Sequence, residues 1–258
     1  MIISIDGLRP DAWEAANTPG LDALRMQGAY SAAAQAVLPS VTLVNHASML
    51  SGMVPEKHGI DWNHADTSRG KINGPTLFSV AHEAGFSTAM VVGKPKLDHI
   101  NLPGSLDTFI YAGYTDQQVT TETLDLIDAG PPDVLFVHLP DIDSAGHLTG
   151  WMSSAQLSVL EFTDGLIIDI VRALGEGGYL ANTLLIITAD HGGSGFRHGS
   201  ESLQDTTVPW LAIGPGISPD RSLATNISTV DTAATALYAL NLPIPPEWDG
   251  RPVLEIFE

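Results

Sequence analysis

Short apolar runs alternate with longer stretches of helical spacing along this chain, and that alternation constrains the fold more than any other feature. The runs are residues 1–5, 88–92, 134–139, 184–188 and 208–213. Each is bounded by turn residues and is too short and uniformly apolar for an amphipathic helix, so each reads as a strand buried on both faces. Between them, residues 20–27, 42–50, 76–84, 117–127, 153–174 and 229–240 carry helical spacing. Such alternation predicts an α/β fold, a three-layer sandwich around a central, mostly parallel sheet. No repeat, low-complexity tract or Pro/Gly/Ser linker divides residues 1–258, which are read as one domain.

The polar residues with useful chemistry follow the strand-like runs: Asp6 after the first, Asp141 and Asp143 after the third, Asp190 and His191 after the fourth. Open α/β sheets bind ligands at the carboxyl ends of their strands, so three segments can deliver these groups to one place. The chain has no cysteine, which leaves oxygen and imidazole as its strong metal ligands. With 11 Lys+Arg against 30 Asp+Glu, its field repels nucleic acid and anionic membrane, so neither is an expected partner. Residues 1–5 lack the basic and long apolar regions of a secretory signal, and a cytoplasmic location is the expectation. Residues 26–55 contain no Asp, Glu, Lys or Arg, yet Pro39, Asn45, His46 and several serines exclude a membrane span and suggest a buried or site-lining segment.

Asp190-His191-Gly192-Gly193 places an acid and an imidazole at a strand end, where two glycines are expected to let the chain turn sharply. Asp143 and His147 stand four residues apart, with Gly146 between them permitting a tight backbone, and His198 follows the Asp-His pair. Any one of these can be an Asx turn or a hydrogen-bonded structural histidine. Their coincidence, together with Asp6, has the composition of a hydrolytic zinc or manganese site. Two cations about 4 Å apart would clamp the attacking and leaving oxygens of an in-line displacement. The candidate nucleophile is Thr42, at an expected helix start whose dipole suits an alkoxide or a phosphate. Ser40 or Thr42 could equally be only the helix N-cap.

Asp6-Gly7-Leu8-Arg9-Pro10-Asp11, Asn17-Thr18-Pro19-Gly20-Leu21, Pro39-Ser40-Val41-Thr42 with Asn45-His46, Pro55-Glu56-Lys57-His58-Gly59-Ile60, Asp143 to His147, Asp190-His191-Gly192 and His198-Gly199 occur in this order. In that order they resemble the type I phosphodiesterase/nucleotide pyrophosphatase family of the alkaline phosphatase superfamily. The resemblance implies an alkaline-phosphatase-like core and two divalent cations, zinc expected and manganese allowed. One would be held by Asp143, His147 and His198, the other by Asp6, Thr42, Asp190 and His191. It implies a Thr42 alkoxide, a phospho-threonine intermediate and a small anionic phosphoryl substrate. Asn63 corresponds to an asparagine that hydrogen-bonds a nonbridging phosphate oxygen, and His46 and His58 are read as structural supports. Lys94 and Lys96 resemble the lysine pair with which phosphonoacetate hydrolases of the superfamily hold a substrate carboxylate; a solvated loop is the other reading. A phosphonate hydrolase or phosphomonoesterase on the same two-metal site is therefore one alternative, and an inactive metal-binding interaction protein another. A sulfatase is disfavoured because no cysteine exists and Ser40 lacks a Ser-x-Pro-x-Arg context. Phosphoglycerate-mutase-like members carry a large inserted domain for which the chain has no room.

Overall fold

The computed structural model describes residues 1–257. Its elements are β1 Ile2–Ile5, α1 Pro10–Ala15, α2 Pro19–Arg25, β2 Ala29–Gln35, α3 Thr42–Ser51, α4 Pro55–His58, α5 Leu77–Glu83, β3 Thr88–Val92, β4 Thr108–Tyr111, α6 Asp116–Ala129, β5 Val134–Leu139, α7 Asp141–Thr149, α8 Ser154–Glu176, β6 Leu185–Thr188, α9 Leu203–Thr206, β7 Thr207–Ile213, β8 Arg221–Ser222 and α10 Asp231–Ala239. Among the described residues no helix is long and apolar enough to cross a membrane.

All eight strands belong to one sheet, in the order β4-β3-β5-β1-β6-β7-β2-β8. The first five in that order are parallel, whereas β7 runs antiparallel to both β6 and β2. Every residue of β1, β3, β5 and β6 is buried, as expected of central parallel strands covered on both faces. Helices α1, α2, α6 and α7 pack around α8, while α3, α5 and α10 pack on one another, giving the three-layer arrangement. One continuous apolar core links both layers to the sheet.

Three strands escaped the apolar-run criterion. β2 reads AYSAAAQ, with no β-branched residue, and is a strand because β7 and β8 pair with its two edges. β4 and β8 are four and two residues long at opposite edges of the sheet. The larger correction is α7, since the Asp143–His147 spacing lies within a helix, where Gly146 supplies no tight backbone turn. Gly146 serves that helix by admitting Trp151, whose ring lies 2.7 Å from where a Cβ would stand. Gly193 likewise makes room for Trp151 at 2.2 Å, and neither it nor Gly192 adopts a positive φ, so close approach and not a sharp turn requires them.

Helix α7 is fixed at its first residue by a reciprocal pair of hydrogen bonds. The Asp116 N–H donates to Asp141 Oδ2 at 3.0 Å, and the Asp141 N–H donates to Asp116 Oδ1 at 2.9 Å, tying the first turns of α6 and α7 together. Thr163 on α8 donates to the second oxygen of Asp116 at 2.5 Å. Burial, reinforced by the Asp141 carboxylate, pushes Asp116 up to about 7. A carboxyl whose folded pKa lies above its unfolded value stabilises the fold fully below the unfolded pKa, about 3.9, and loses that contribution as pH rises through about 7. Denaturant midpoints should therefore fall between about pH 4 and pH 7, and Asp116→Asn should flatten that segment of the profile. An unchanged slope in the variant would exclude Asp116 as its source.

Candidate metal centre and active site

Because β3, β5, β1 and β6 are adjacent and parallel, the segments that follow them emerge at one edge of the sheet. Asp6 follows β1, Asp143 and His147 lie on one face of α7 after β5, and Asp190 and His191 follow β6. His198 is brought in by the loop between β6 and α9. The result is two groups, Asp143/His147/His198 and Asp6/Asp190/His191, in each of which the candidate ligand atoms lie within 4.8 Å of one another. The rings of His191 and His198 stack at 3.8 Å between centroids, so the two groups adjoin.

The hydrogen bonding of these side chains fits cations. Nδ1 of His147, His191 and His198 contacts a backbone carbonyl oxygen, of Phe196, Gly192 and Ser40, at 2.9, 2.7 and 2.9 Å. A carbonyl only accepts, so each Nδ1 carries a proton; burial favours the neutral form of His191 and His198, whose rings then turn a bare Nε2 inward. What those nitrogens face are carboxylate oxygens. His191 Nε2 is 3.4 Å from Asp6 Oδ1 and 3.2 Å from Asp190 Oδ2. His147 and His198 Nε2 are each 3.4 Å from Asp143 Oδ1. All three of these oxygens are buried without a hydrogen-bond partner. Lone pairs facing lone pairs repel unless a cation lies between them, and ligands about 2.0–2.1 Å from a tetrahedral zinc stand about 3.4 Å apart.

The other oxygens of the same carboxylates are satisfied by donors that aim them. Asp6 Oδ2 accepts from His138 Nε2 at 2.8 Å and from Lys94 at 2.6 Å, Asp143 Oδ2 accepts from Lys94 at 2.5 Å, and Asp190 Oδ1 accepts from the Gly7 N–H at 3.1 Å. Burial resists ionisation of Asp6, but Lys94 and His138 outweigh it and hold the carboxyl well below the ordinary range. Asp190 is driven the other way by burial and by the Asp6 charge. Burial also lowers His191, and it brings His198, beside His191, down to about 4. His147, half exposed, is raised by its contact with Asp143. One ammonium thus bridges two of three buried carboxyls, and Asp190 has none, a local deficit of positive charge.

Thr42 is the first residue of α3, fully buried, with Oγ1 3.3 Å from His191 Nε2. The N-cap is Val41, without a side-chain cap, so neither Thr42 nor Ser40 has the capping role that the sequence allowed. Asn63 Oδ1 accepts from the N–H of Leu43 at 3.0 Å, which places the amide against the first turn of α3. Lys96 donates to the same oxygen at 2.9 Å. His46 contacts the Thr42 carbonyl oxygen at 2.7 Å and Ser4 Oγ at 2.8 Å, and His58 contacts Ser48 Oγ at 3.0 Å.

Three supports were not singled out from the sequence. His138 lies inside an apolar strand, where its Nδ1 accepts from the Gly93 N–H at 3.2 Å and leaves Nε2–H for Asp6. Trp151 packs edge-on against His147 and His198 and donates to the Gly7 carbonyl oxygen at 3.0 Å. Asp205 accepts from the Ser200 N–H, Ser200 Oγ and Ser194 Oγ, closing the loop that presents His198. A histidine at an acid-bearing strand end was the available signal for the first; the others depend on contacts between distant segments.

A family model described as type I phosphodiesterase/nucleotide pyrophosphatase matches residues 1–207. The chain is 28% identical over 215 residues to ectonucleotide pyrophosphatase/phosphodiesterase family member 3 of Mus musculus, covering 74% of this chain and 24% of that protein. It is 27% identical over 215 residues to a venom phosphodiesterase of Macrovipera lebetinus, covering 74% and 25%. The chain spans about a quarter of the length of these curated relatives. Among solved structures, an inactive variant of murine ectonucleotide pyrophosphatase/phosphodiesterase 5 in complex with AMP superposes with a TM-score of 0.83 at 16% identity, covering 99% of this chain and 98% of that one. A 2-O GAG sulfatase gives a TM-score of 0.83 at 16% identity, covering 99% and 73%. At such identities the likeness bears on the fold, an alkaline-phosphatase-like core without a large inserted domain.

Two substitutions separate the two groups. His198→Ala should weaken zinc binding chiefly at Asp143/His147, by about 10-fold or more, because it removes a ligand from that group only. His138→Phe should weaken the Asp6/Asp190/His191 group by about 10–100-fold through loss of the donor that aims Asp6. Calorimetric zinc titration of both variants resolves this, and equal weakening of both sites in each variant would contradict the division.

Proposed function

This chain belongs to the type I phosphodiesterase/nucleotide pyrophosphatase family, and from that premise we propose that it is a metal-dependent hydrolase of phosphoryl esters in which Thr42 is the nucleophile. The observation that carries the reading is the set of bare imidazole nitrogens and unpartnered carboxylate oxygens 3.2–3.4 Å apart around Thr42. Asp143/His147/His198 would hold one divalent cation and Asp6/Thr42/Asp190/His191 a second, zinc by ligand type with manganese as the alternative. When bound, they supply the positive charge that stabilises an alkoxide and a departing oxygen.

The chain's own residues do the rest. Thr42 Oγ1, its proton passed to water, attacks phosphorus; the bond from phosphorus to the ester oxygen breaks, and the leaving alkoxide takes a proton from water. Water then cleaves the phospho-threonine, releasing the phosphoryl product and restoring the hydroxyl. The N-terminal end of α3 favours the anionic oxygen, and the Asn63 amide faces a nonbridging phosphoryl oxygen. His46 and His138 orient Thr42 and Asp6 and need carry no proton in the reaction. Net charge of −19 favours a small anionic substrate held at the site over a nucleic-acid polymer.

Diesters and nucleotide pyrophosphates are the preferred substrates of this proposal, on the names that the relatives carry. Phosphonates and monoesters are the second reading, favoured only by the lysine pair beside the site. Bis-(4-nitrophenyl) phosphate, 4-nitrophenyl phosphate and phosphonoacetate, assayed under one condition, distinguish them. Stoichiometric zinc with no hydrolysis of any of the three would favour a silent metal-binding protein.

Thr42→Ala should lower turnover of the best substrate by at least about 10³-fold while leaving zinc binding at Asp143/His147/His198 intact. Its cost in stability should stay below about 2 kcal/mol, since the residue caps nothing. Thr42→Ser should keep part of the activity, because the attacking oxygen remains while the β-branch that limits its rotamer is lost. Near-wild-type turnover in the alanine variant would transfer the role of nucleophile to water.

A further inference from the structure

We infer that Lys96 is a positioning residue whose ammonium fixes the amide of Asn63, and that it does not bind substrate; the inference rests on the phosphoryl-transfer reading above. Lys96 Nζ donates to Asn63 Oδ1 at 2.9 Å and lies 3.3 Å from the Asn63 carbonyl oxygen. The Leu43 N–H donates to the same Oδ1 at 3.0 Å. Both partners are donors with no acceptor capacity, so they identify the oxygen end of the amide and turn its NH₂ end to the other side. Leu43 adjoins Thr42 in the first turn of α3, and the amide is thereby locked to the element that carries the nucleophile.

The orientation decides the chemistry. An asparagine amide turned by half a revolution presents an oxygen in place of the NH₂ group, and an oxygen beside the developing charge of a phosphoryl group would repel it. The Leu43 N–H alone can satisfy one lone pair of Oδ1. The ammonium of Lys96 satisfies the second and makes the flipped state costly, because a flipped NH₂ would face both an N–H and a cation. Lys96 reaches no carboxylate of the two cation groups, unlike Lys94, which bridges Asp6 and Asp143. Its removal is therefore a clean probe of Asn63.

Lys96→Met should lower kcat by about 10–100-fold with KM within about twofold, and by the same factor for bis-(4-nitrophenyl) phosphate and for a carboxylated aryl phosphodiester. Lys96→Arg, which keeps a cationic donor, should recover part of kcat. Zinc stoichiometry and affinity should match wild type. In the cycle with Asn63→Ala, the double variant should be no slower than Asn63→Ala alone. In ¹⁵N spectra the paired Asn63 side-chain amide signals should broaden or double in Lys96→Met. Additive effects of the two substitutions, or a KM increase confined to the carboxylated ester, would overturn the inference and return Lys96 to substrate binding. Loss of activity in Asn63→Ala with none in Lys96→Met would overturn it while leaving the phosphoryl-oxygen role of Asn63 standing. Full activity in Asn63→Ala would remove both.

Discussion

Everything at the strand edge is arranged around one electrostatic conflict: Asp6, Asp143 and Asp190 are buried together at 0%, 4% and 0% exposure, and Lys94 bridges only two of them. Ionising three buried carboxyls a few ångströms apart costs far more than a lysine returns, which is why Asp190 is pushed up, and cations at this place would relieve the cost. The imidazoles sharpen the conflict. Their Nδ1 atoms donate to backbone carbonyls, and the buried His191 and His198, favoured in the neutral form, meet the carboxylates with lone pairs. Each carboxyl is divided in the same way, one oxygen held by donors of the protein and the other without a partner, open to a cation. Donors behind the ligands fix orientation; bare atoms in front define where charge is accepted.

The scaffold reaches that state through the order of its strands. β3, β5, β1 and β6 lie side by side and parallel, so four chain segments separated widely in sequence end at one level. The register puts Ser4, His138, Val92 and Thr188 in one row, and two of these four, Ser4 and His138, are the polar residues that support His46 and Asp6. A strand slipped by one residue would turn those side chains to the opposite face and strand the carboxylates without donors. Parallel pairing therefore serves the chemistry directly, and the antiparallel β7 sits beyond it, toward the side where β2 and β8 complete the sheet.

How much of this could be read from the residues depends on the kind of signal. Uniform apolar runs gave the central strands, because burial on both faces leaves a one-dimensional mark. The Ala-rich β2 left none, since its strand state comes from partners about 180 residues away. The candidate ligands were picked out as acids and histidines placed after strands, and the fold brings all seven residues together, Thr42 among them. The spacing of Asp143 and His147 was read with a tight backbone at Gly146, whereas the two residues stand one helical turn apart and the glycine makes room for Trp151. The lysine pair was read as holding a substrate carboxylate or as lying in a solvated loop; its hydrogen bonds to Asp6, Asp143 and Asn63 are three-dimensional facts that no local pattern announces.

The segment beyond residue 207, where the family match ends, holds none of the candidate ligands, yet it fixes the helix that carries Thr42 from behind. Helix α3 carries Thr42 at its first residue and ends at Gly52 in a left-handed conformation with φ of 63°. There the Gly52 carbonyl oxygen accepts from the N–H groups of Asp249 and Gly250, and the Trp248 ring lies 2.4 Å from where a Cβ would stand. Lys57, in the short helix that follows, pairs with Asp249 at 2.6 Å, and α10 packs along α3 itself. A helix fixed at its C-terminal end, buried along all ten residues and tied to Asn63 at its first turn has little freedom to shift along its axis. The position of Thr42 is thus set by contacts at both ends of α3, and the C-terminal segment supplies the end that the ligand-bearing loops cannot reach.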